Sequence, residues 1–140
     1  TSGGGISGGQ VFHYDPRREK LTLVFESRNN TDHPVAPDNM TVSPRGGILL
    51  CEDRGGISRL MGLTQAGEVF EFGRNNILLS AEDAAIIHSK FPGSEKRISA
   101  GNYIGAETCG ACFHERWLFV NIQTPGVTFA ITGPWNQGVL

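Results

Sequence analysis

Met40-Thr41-Val42-Ser43-Pro44-Arg45-Gly46-Gly47-Ile48-Leu49-Leu50-Cys51 reads as a β-hairpin. Strand-compatible residues lead in, Pro-Arg-Gly-Gly turns the chain, and an apolar run returns. Proline fixes φ at the start of such a turn and glycine accepts positive φ near its end. The same figure follows in Arg59 to Leu63, a turn at Thr64-Gln65-Ala66-Gly67, and Glu68 to Phe72. It precedes in Val11 to Tyr14, a turn from Asp15 to Lys20, and Leu21 to Glu26, with Leu21, Leu23 and Phe25 on one face. It closes in Ala111-Cys112-Phe113, a tight turn at His114-Glu115-Arg116, and Trp117 to Ile122. Thr124-Pro125-Gly126 then turns into Val127 to Ile131. Antiparallel hairpins in series predict an all-β fold: a meander, a sandwich or propeller blades, which period alone does not separate.

One segment departs from this rhythm. Ser80-Ala81-Glu82-Asp83 opens a predicted helix that runs to about Phe91, with Ser80 and Asp83 spaced as a capping box. Pro92-Gly93 stops it, and residues 80–103 read as a helical insertion between β units. Residues 1–9 are Gly/Ser-rich and read as a flexible lead-in to a β unit over 10–140. A polar loop runs from Asn29 through Asp32 to Pro37.

Composition narrows the function classes. The 140 residues include 19 glycines and 7 prolines, and hydrophobic residues reach 39%, which disfavours a long-helix bundle. A net charge of -2 argues against a dedicated nucleic-acid binder. No apolar run approaches the roughly 18 residues of a membrane span. Cys51, Cys109 and Cys112 are an odd set, not a disulfide framework. Cys109-Gly-Ala-Cys112 lacks the second ligand pair of a zinc site and runs into a strand, unlike a redox motif at a helix start. His13, His33, His88 and His114 have no Ser or Cys partner that the pattern brings beside them, so a triad hydrolase is disfavoured. Gly3-Gly4-Gly5 and Gly46-Gly47 do not spell a phosphate loop. The chain starts Thr-Ser-Gly-Gly-Gly without Met, and reads as an internal piece or a processed product.

Hairpin direction gathers the polar residues. With the turn at Pro44 to Gly47, Ser43 lies opposite Ile48, Asn39 near Glu52 and Asp38 near Asp53. The neighbouring hairpins start and end at the same side. One rim then collects Asp38, Asn39, Glu52, Asp53, Arg54, Asn75, Glu107, Asn121 and Gln123. The opposite rim receives Arg17, Pro44, Arg45, Gln65 and His114. Carboxylates beside neutral oxygen donors suit a hard cation such as calcium. Polar loop ends also arise simply because they face water. Arg54 or Arg74 suits a phosphate oxyanion, or equally a structural ion pair with the carboxylates.

Three ordered blocks resemble one known family. They are Pro37 to Asp53; Gly62-Leu63-Thr64 with Gly67-Glu68-Val69-Phe70; and Leu118 to Trp135, which contains Asn121-Ile122-Gln123-Thr124-Pro125-Gly126. Together they resemble the PhoX-type alkaline phosphatases, with the last block near that family's C-terminus. The resemblance implies a six-bladed β-propeller that hydrolyses phosphate monoesters, exported to the periplasm or secreted. It implies calcium, with iron in the best-known branch, at one mouth of the central channel. By motif it makes Asp38, Asn39, Glu52 and Glu107 the metal-ligand candidates, with Asp53 and Asn75 next; Arg54, placed on the same rim by hairpin direction, is the catalytic candidate. The family's upstream ligands, including a cysteine for iron, would lie outside this chain, and Cys51 is not given that role. With about seven to eight strand candidates at four per blade, the chain accounts for roughly two blades. The remainder would then come from copies of the chain or from a missing portion.

Two other readings stay open. A non-enzymatic β module would self-associate through open sheet edges. A lactonase-like propeller would use a single calcium as Lewis acid.

Overall fold

The computed structural model of the chain describes residues 8–28 and 33–140. The loop residues Asn29 to Asp32 and most of the predicted lead-in lie outside them. Gly8 and Gly9 do not belong to a flexible lead-in. Both are buried, and their carbonyls accept from Ala36 N (2.8 Å) and Ser27 N (3.0 Å).

The architecture is antiparallel β with one short helix. A hairpin comes first, β1 (Gln10–Asp15) and β2 (Lys20–Glu26). A four-stranded meander follows, in the order β3 (Pro37–Val42), β4 (Ile48–Glu52), β5 (Arg59–Leu63), β6 (Val69–Arg74). β7 (Leu78–Leu79) and β8 (Gly101–Asn102) pair as a short ribbon around α1 (Ala81–Lys90). A three-stranded meander closes the chain: β9 (Thr108–His114), β10 (Trp117–Ile122), β11 (Val127–Thr132). Among the described residues no sheet closes on itself, and no helix is long and apolar enough to cross a membrane.

The inner strands of the central sheet, β4 and β5, are covered on both faces, which explains their sequence. Every residue of β5 is buried, as are Leu49 to Glu52 in β4. One face of the sheet presents Leu49, Cys51 and Leu60 to Leu118 and Val120 of the closing meander. The other presents Leu50, Met61 and Leu63 to Val11 and Phe25 of the first hairpin. An unbroken apolar run is what a strand needs when both faces are packed. Gly62 is part of this packing: a Cβ there would stand 2.1 Å from Phe70 Cζ, so the ring lies where any other residue's side chain would start. The C-terminal segment completes the first core. Leu140 is buried in it, and Trp135 stacks on Phe72 (5.5 Å edge contact to Phe113, 6.1 Å to Phe72) while donating Nε1–H to Arg116 O at 2.8 Å.

Two predictions about register need correction, one set at a turn and one by irregular pairing. β3 pairs with β4 through Val42↔Ile48 and Asn39↔Cys51, then slips at Asp38 so that Pro37 faces Glu52. Because the turn already sets Val42 against Ile48, Ser43 is not opposite Ile48; its N–H donates to Gly47 O across the turn. In the first hairpin a shift between Val11 and Phe12 leaves Val24 unpaired. Phe25 turns into the core while Leu21 and Leu23 stay exposed, so the three do not share a face. The helix stands as predicted. Ser80 Oγ accepts from Asp83 N at 3.1 Å and Asp83 Oδ2 accepts from Ser80 N at 2.8 Å, a reciprocal capping box.

Candidate functional site

The antiparallel order brings the start of β3, the end of β4, the approach to β9 and the end of β10 to one side. Asp53 N donates to Ala36 O at 3.0 Å, joining the chain after β4 to the chain before β3. Gln123 N donates to Glu107 O at 3.0 Å, joining the exit of β10 to the approach to β9. The opposite rim gathers Arg45 and Gln65, where Gln65 Nε2 donates to Arg45 O and Arg45 Nε donates to Gly138 O at 2.6 Å.

Asp38, Asp53 and Glu107 form one electrostatic group. Asp38 sits at the irregular step of β3, exposed. The Glu107 carboxyl is held above the ordinary glutamate range, first by partial burial, then by the charge of Asp38, a hydrogen bond with Asp38 and the charge of Asp53. Burial, Glu107 and Asp38 likewise push the Cys109 thiol up. Among the described residues none of these acids has a Lys, Arg or His ion-pair partner. A hard divalent cation is the counter-charge that such a donor set suits. The acids do not form a closed shell by themselves: among the described residues, no three His, Cys, Asp or Glu side chains gather tightly enough to hold a metal. Asn39 lies one residue along and, with Asp38 and Gln10, borders a cavity of about 240 Å³ between β1 and β3.

Glu52 is differently employed. Its side chain is fully buried, and Arg59 grips it through Nε to Oε2 (2.6 Å) and Nη2 to Oε1 (2.7 Å). Val35 N donates to the same Oε1 at 2.7 Å. The Arg59 guanidinium also donates to His33 O at 3.1 Å, and its pKa is raised chiefly by the hydrogen bonds to Glu52. Glu52 therefore ties the loop before β3 to the sheet. Arg54 approaches Glu52 Oε1 only to 3.9 Å, beyond hydrogen-bond reach, and remains half-exposed.

Asn75 is buried, and its amide is fully used. Nδ2 donates to Tyr103 O (2.6 Å) and Ala106 O (3.0 Å), while Oδ1 accepts from Ile77 N (3.0 Å). It clips both ends of the helical insertion together just before Glu107. Asn121 spans the rim end of the closing meander, with Oδ1 accepting from Thr128 Oγ1 at 2.7 Å. Below Glu107, Thr108 N donates to Ser58 Oγ at 3.0 Å, and the two hydroxyls pair at 3.2 Å. Arg59, Ser58 and Thr108 escaped the sequence reading. For Arg59 a signal existed: a charge opening the apolar run Arg-Leu-Met-Gly-Leu needs a buried counter-charge.

Cys51 is no candidate ligand. It is fully buried between the central and closing sheets, and burial pushes its thiol up to about 11. A family model described as alkaline phosphatase PhoX matches residues 6–126. Neither the curated proteins nor the solved structures contain a significant match to the chain.

Proposed function

The chain belongs to the PhoX alkaline phosphatase family, a lineage of metal-dependent phosphoesterases, and from that premise we propose that its acidic rim forms part of a calcium-dependent phosphomonoesterase site. The observation that carries this reading is the hydrogen-bonded approach of Glu107 to Asp38 within electrostatic range of Asp53, with no ion pair to any of the three among the described residues. In the same reading the meander β3–β6 is one propeller blade, and the layers on its two faces belong to its neighbours.

The roles divide by chemistry. Asp38 and Glu107 would hold the cation, with Asp53 and the Asn39 amide oxygen as further oxygen donors. Bound there, calcium would supply Lewis-acid polarisation of a phosphoryl oxygen and an acidified water. Arg54, not locked by a hydrogen bond to Glu52, can orient two non-bridging phosphate oxygens through its planar fork. Glu52 acts at one remove: with its oxygens committed to Arg59 and Val35, it positions the chain from which Asp38 and Asp53 project. A thiolate-bound iron has no support from Cys51, whose thiol is buried and hard to ionise.

The test is calcium binding by calorimetry, together with hydrolysis of 4-nitrophenyl phosphate. Asp38→Asn and Glu107→Gln should each weaken calcium binding by an order of magnitude or more and lower hydrolysis in parallel. Calcium affinity unchanged in both variants would refute the assignment of the rim.

A second reading also has a specific observation behind it. Phe12, Tyr14, Leu21 and Leu23 lie on one face of the first hairpin and are all exposed. A module that self-associates through that face need not be an enzyme.

A further inference from the structure

The helical insertion makes a cavity of about 430 Å³ against the β10–β11 turn. Its apolar wall is Ile87, Phe91, Ile98 and Val127, and its polar members include His88 and Lys96. This is not the acidic group, but the same turn reaches it: Gln123 N bonds Glu107 O at 3.0 Å, and Gly126 lies at the turn's other end.

Two details make the cavity more than a surface hollow. Gly126 has φ +92°, and a Cβ built on it would stand 2.1 Å from Lys96 Nζ and 3.1 Å from its Cε. A side chain here would have to displace the ammonium, the far end of a flexible lysine, and would strain the left-handed backbone of the turn. Among the described residues no carboxylate pairs with Lys96. His88 Nε2 accepts from Ile98 N at 3.1 Å, which places the ring proton of the neutral imidazole on Nδ1, a donor. The insertion thus brings an exposed lysine and an imidazole donor to the edge of an apolar hollow near the rim that carries Asp38 and Glu107.

We propose that this cavity binds a small organic anion with an apolar body, its charge on Lys96 and its body against Ile87, Ile98 and Val127. The geometry suits an aromatic carboxylate, free or as the carboxylate-bearing leaving group of a phosphate ester. The leaving-group role rests on the phosphomonoesterase reading of the rim; occupation of the cavity does not.

Benzoate is the probe, titrated into the full ¹⁵N-labelled chain while backbone amide shifts are followed. Binding should move the amides of Ile87, Ile98 and Val127, and Lys96→Met should weaken it about tenfold. Gly126→Ala should act in the same direction by displacing the ammonium. Should Gly126→Ala fail to fold, Lys96→Met still decides. No saturable shift at those amides, shifts confined to other residues, or equal affinity in Lys96→Met would each overturn the proposal. A separate calcium titration reads the amides around Asp38 and Glu107. Its failure would count against the rim and leave the cavity standing, and the reverse result would do the opposite.

Discussion

At the scale of single residues, two acids of the same rim have opposite physical situations and should respond oppositely to neutralisation. Glu52 is buried against Arg59, so Glu52→Gln removes the carboxylate charge that Arg59 Nε and Nη2 grip inside the protein. Breaking such a pair costs about 3–5 kcal/mol. A large fall in the urea midpoint of Glu52→Gln is expected, with calcium absent throughout. Glu107 is crowded by Asp38 and Asp53, and its carboxyl is raised. Its contribution to stability is then fully present below the ordinary glutamate pKa and is lost as pH rises through the raised folded value. In calcium-free buffer, Glu107→Gln should flatten the decline in midpoint between pH 4 and 8 and leave the chain no less stable at neutral pH. A loss for Glu107→Gln as large as that for Glu52→Gln would show that Glu107 is a structural anchor as well. The type of residue at each of these positions was visible in the sequence; the division of labour was not. Asp38, Asp53 and Glu107 meet because strands run back and forth between two rims, which hairpin turns declare. Glu52 was withdrawn by Arg59, seven residues along and across a strand pair, and only the folded sheet makes those two neighbours. Cysteines show the same separation. Cys112 is exposed and Cys51 is buried with its thiol pushed up to about 11. A thiol-reactive probe at pH 8 should label Cys112 readily and Cys51 only after unfolding, which mass mapping of the labelled peptides would resolve.

At the scale of elements, local turn and cap chemistry made the hairpins and the helix legible. Pro44 to Gly47 and Ser80 with Asp83 act over three or four residues, so a linear reading can weigh them. Pairing irregularities are different in kind. Nothing near Val24 or Asp38 announces an extra residue; each slip is selected by what the strand must bury across the sheet. Asn75 belongs to the same class. Read from sequence it was one more oxygen donor on the rim, whereas its three hydrogen bonds hold Tyr103, Ala106 and Ile77 together. Asn75→Ala takes the side-chain donor from Ala106 O and the acceptor from Ile77 N, while Tyr103 O keeps its bond from Ala106 N; each half-buried group left unpaired is worth about 1–3 kcal/mol. The expected signature is local: faster hydrogen exchange across residues 103–107 and weaker calcium binding, with the β3–β6 amides unchanged. Retained protection at 103–107 would mean that the insertion is held by its packing and not by this side chain.

At the scale of the whole molecule, the inner strands of the central sheet are covered on both faces, and an apolar patch lies exposed on the outside of the first hairpin. Phe12 is 46% exposed, Tyr14 56%, Leu21 61% and Leu23 47%, and the register sets Phe12 against Leu23 and Tyr14 against Leu21. Four large apolar side chains on one face of a two-stranded sheet form a contiguous patch, not scattered surface residues. Its inner face, by contrast, delivers Val11 and Phe25 to the core. The composition that suggested a blade-like β unit therefore leaves a surface of the kind that a further sheet layer covers. Since Leu21 and Leu23 make no part of the buried cores, Leu21→Lys with Leu23→Lys should cost little folding stability. It should nevertheless abolish any self-association through that face. Light scattering across a concentration series would then report the 15.1 kDa monomer for the double variant and a larger, concentration-dependent mass for the parent chain. If the parent itself is monomeric at every concentration, the face is not a contact between copies. On the propeller reading, the patch would then be covered by a sheet layer other than a copy of this chain.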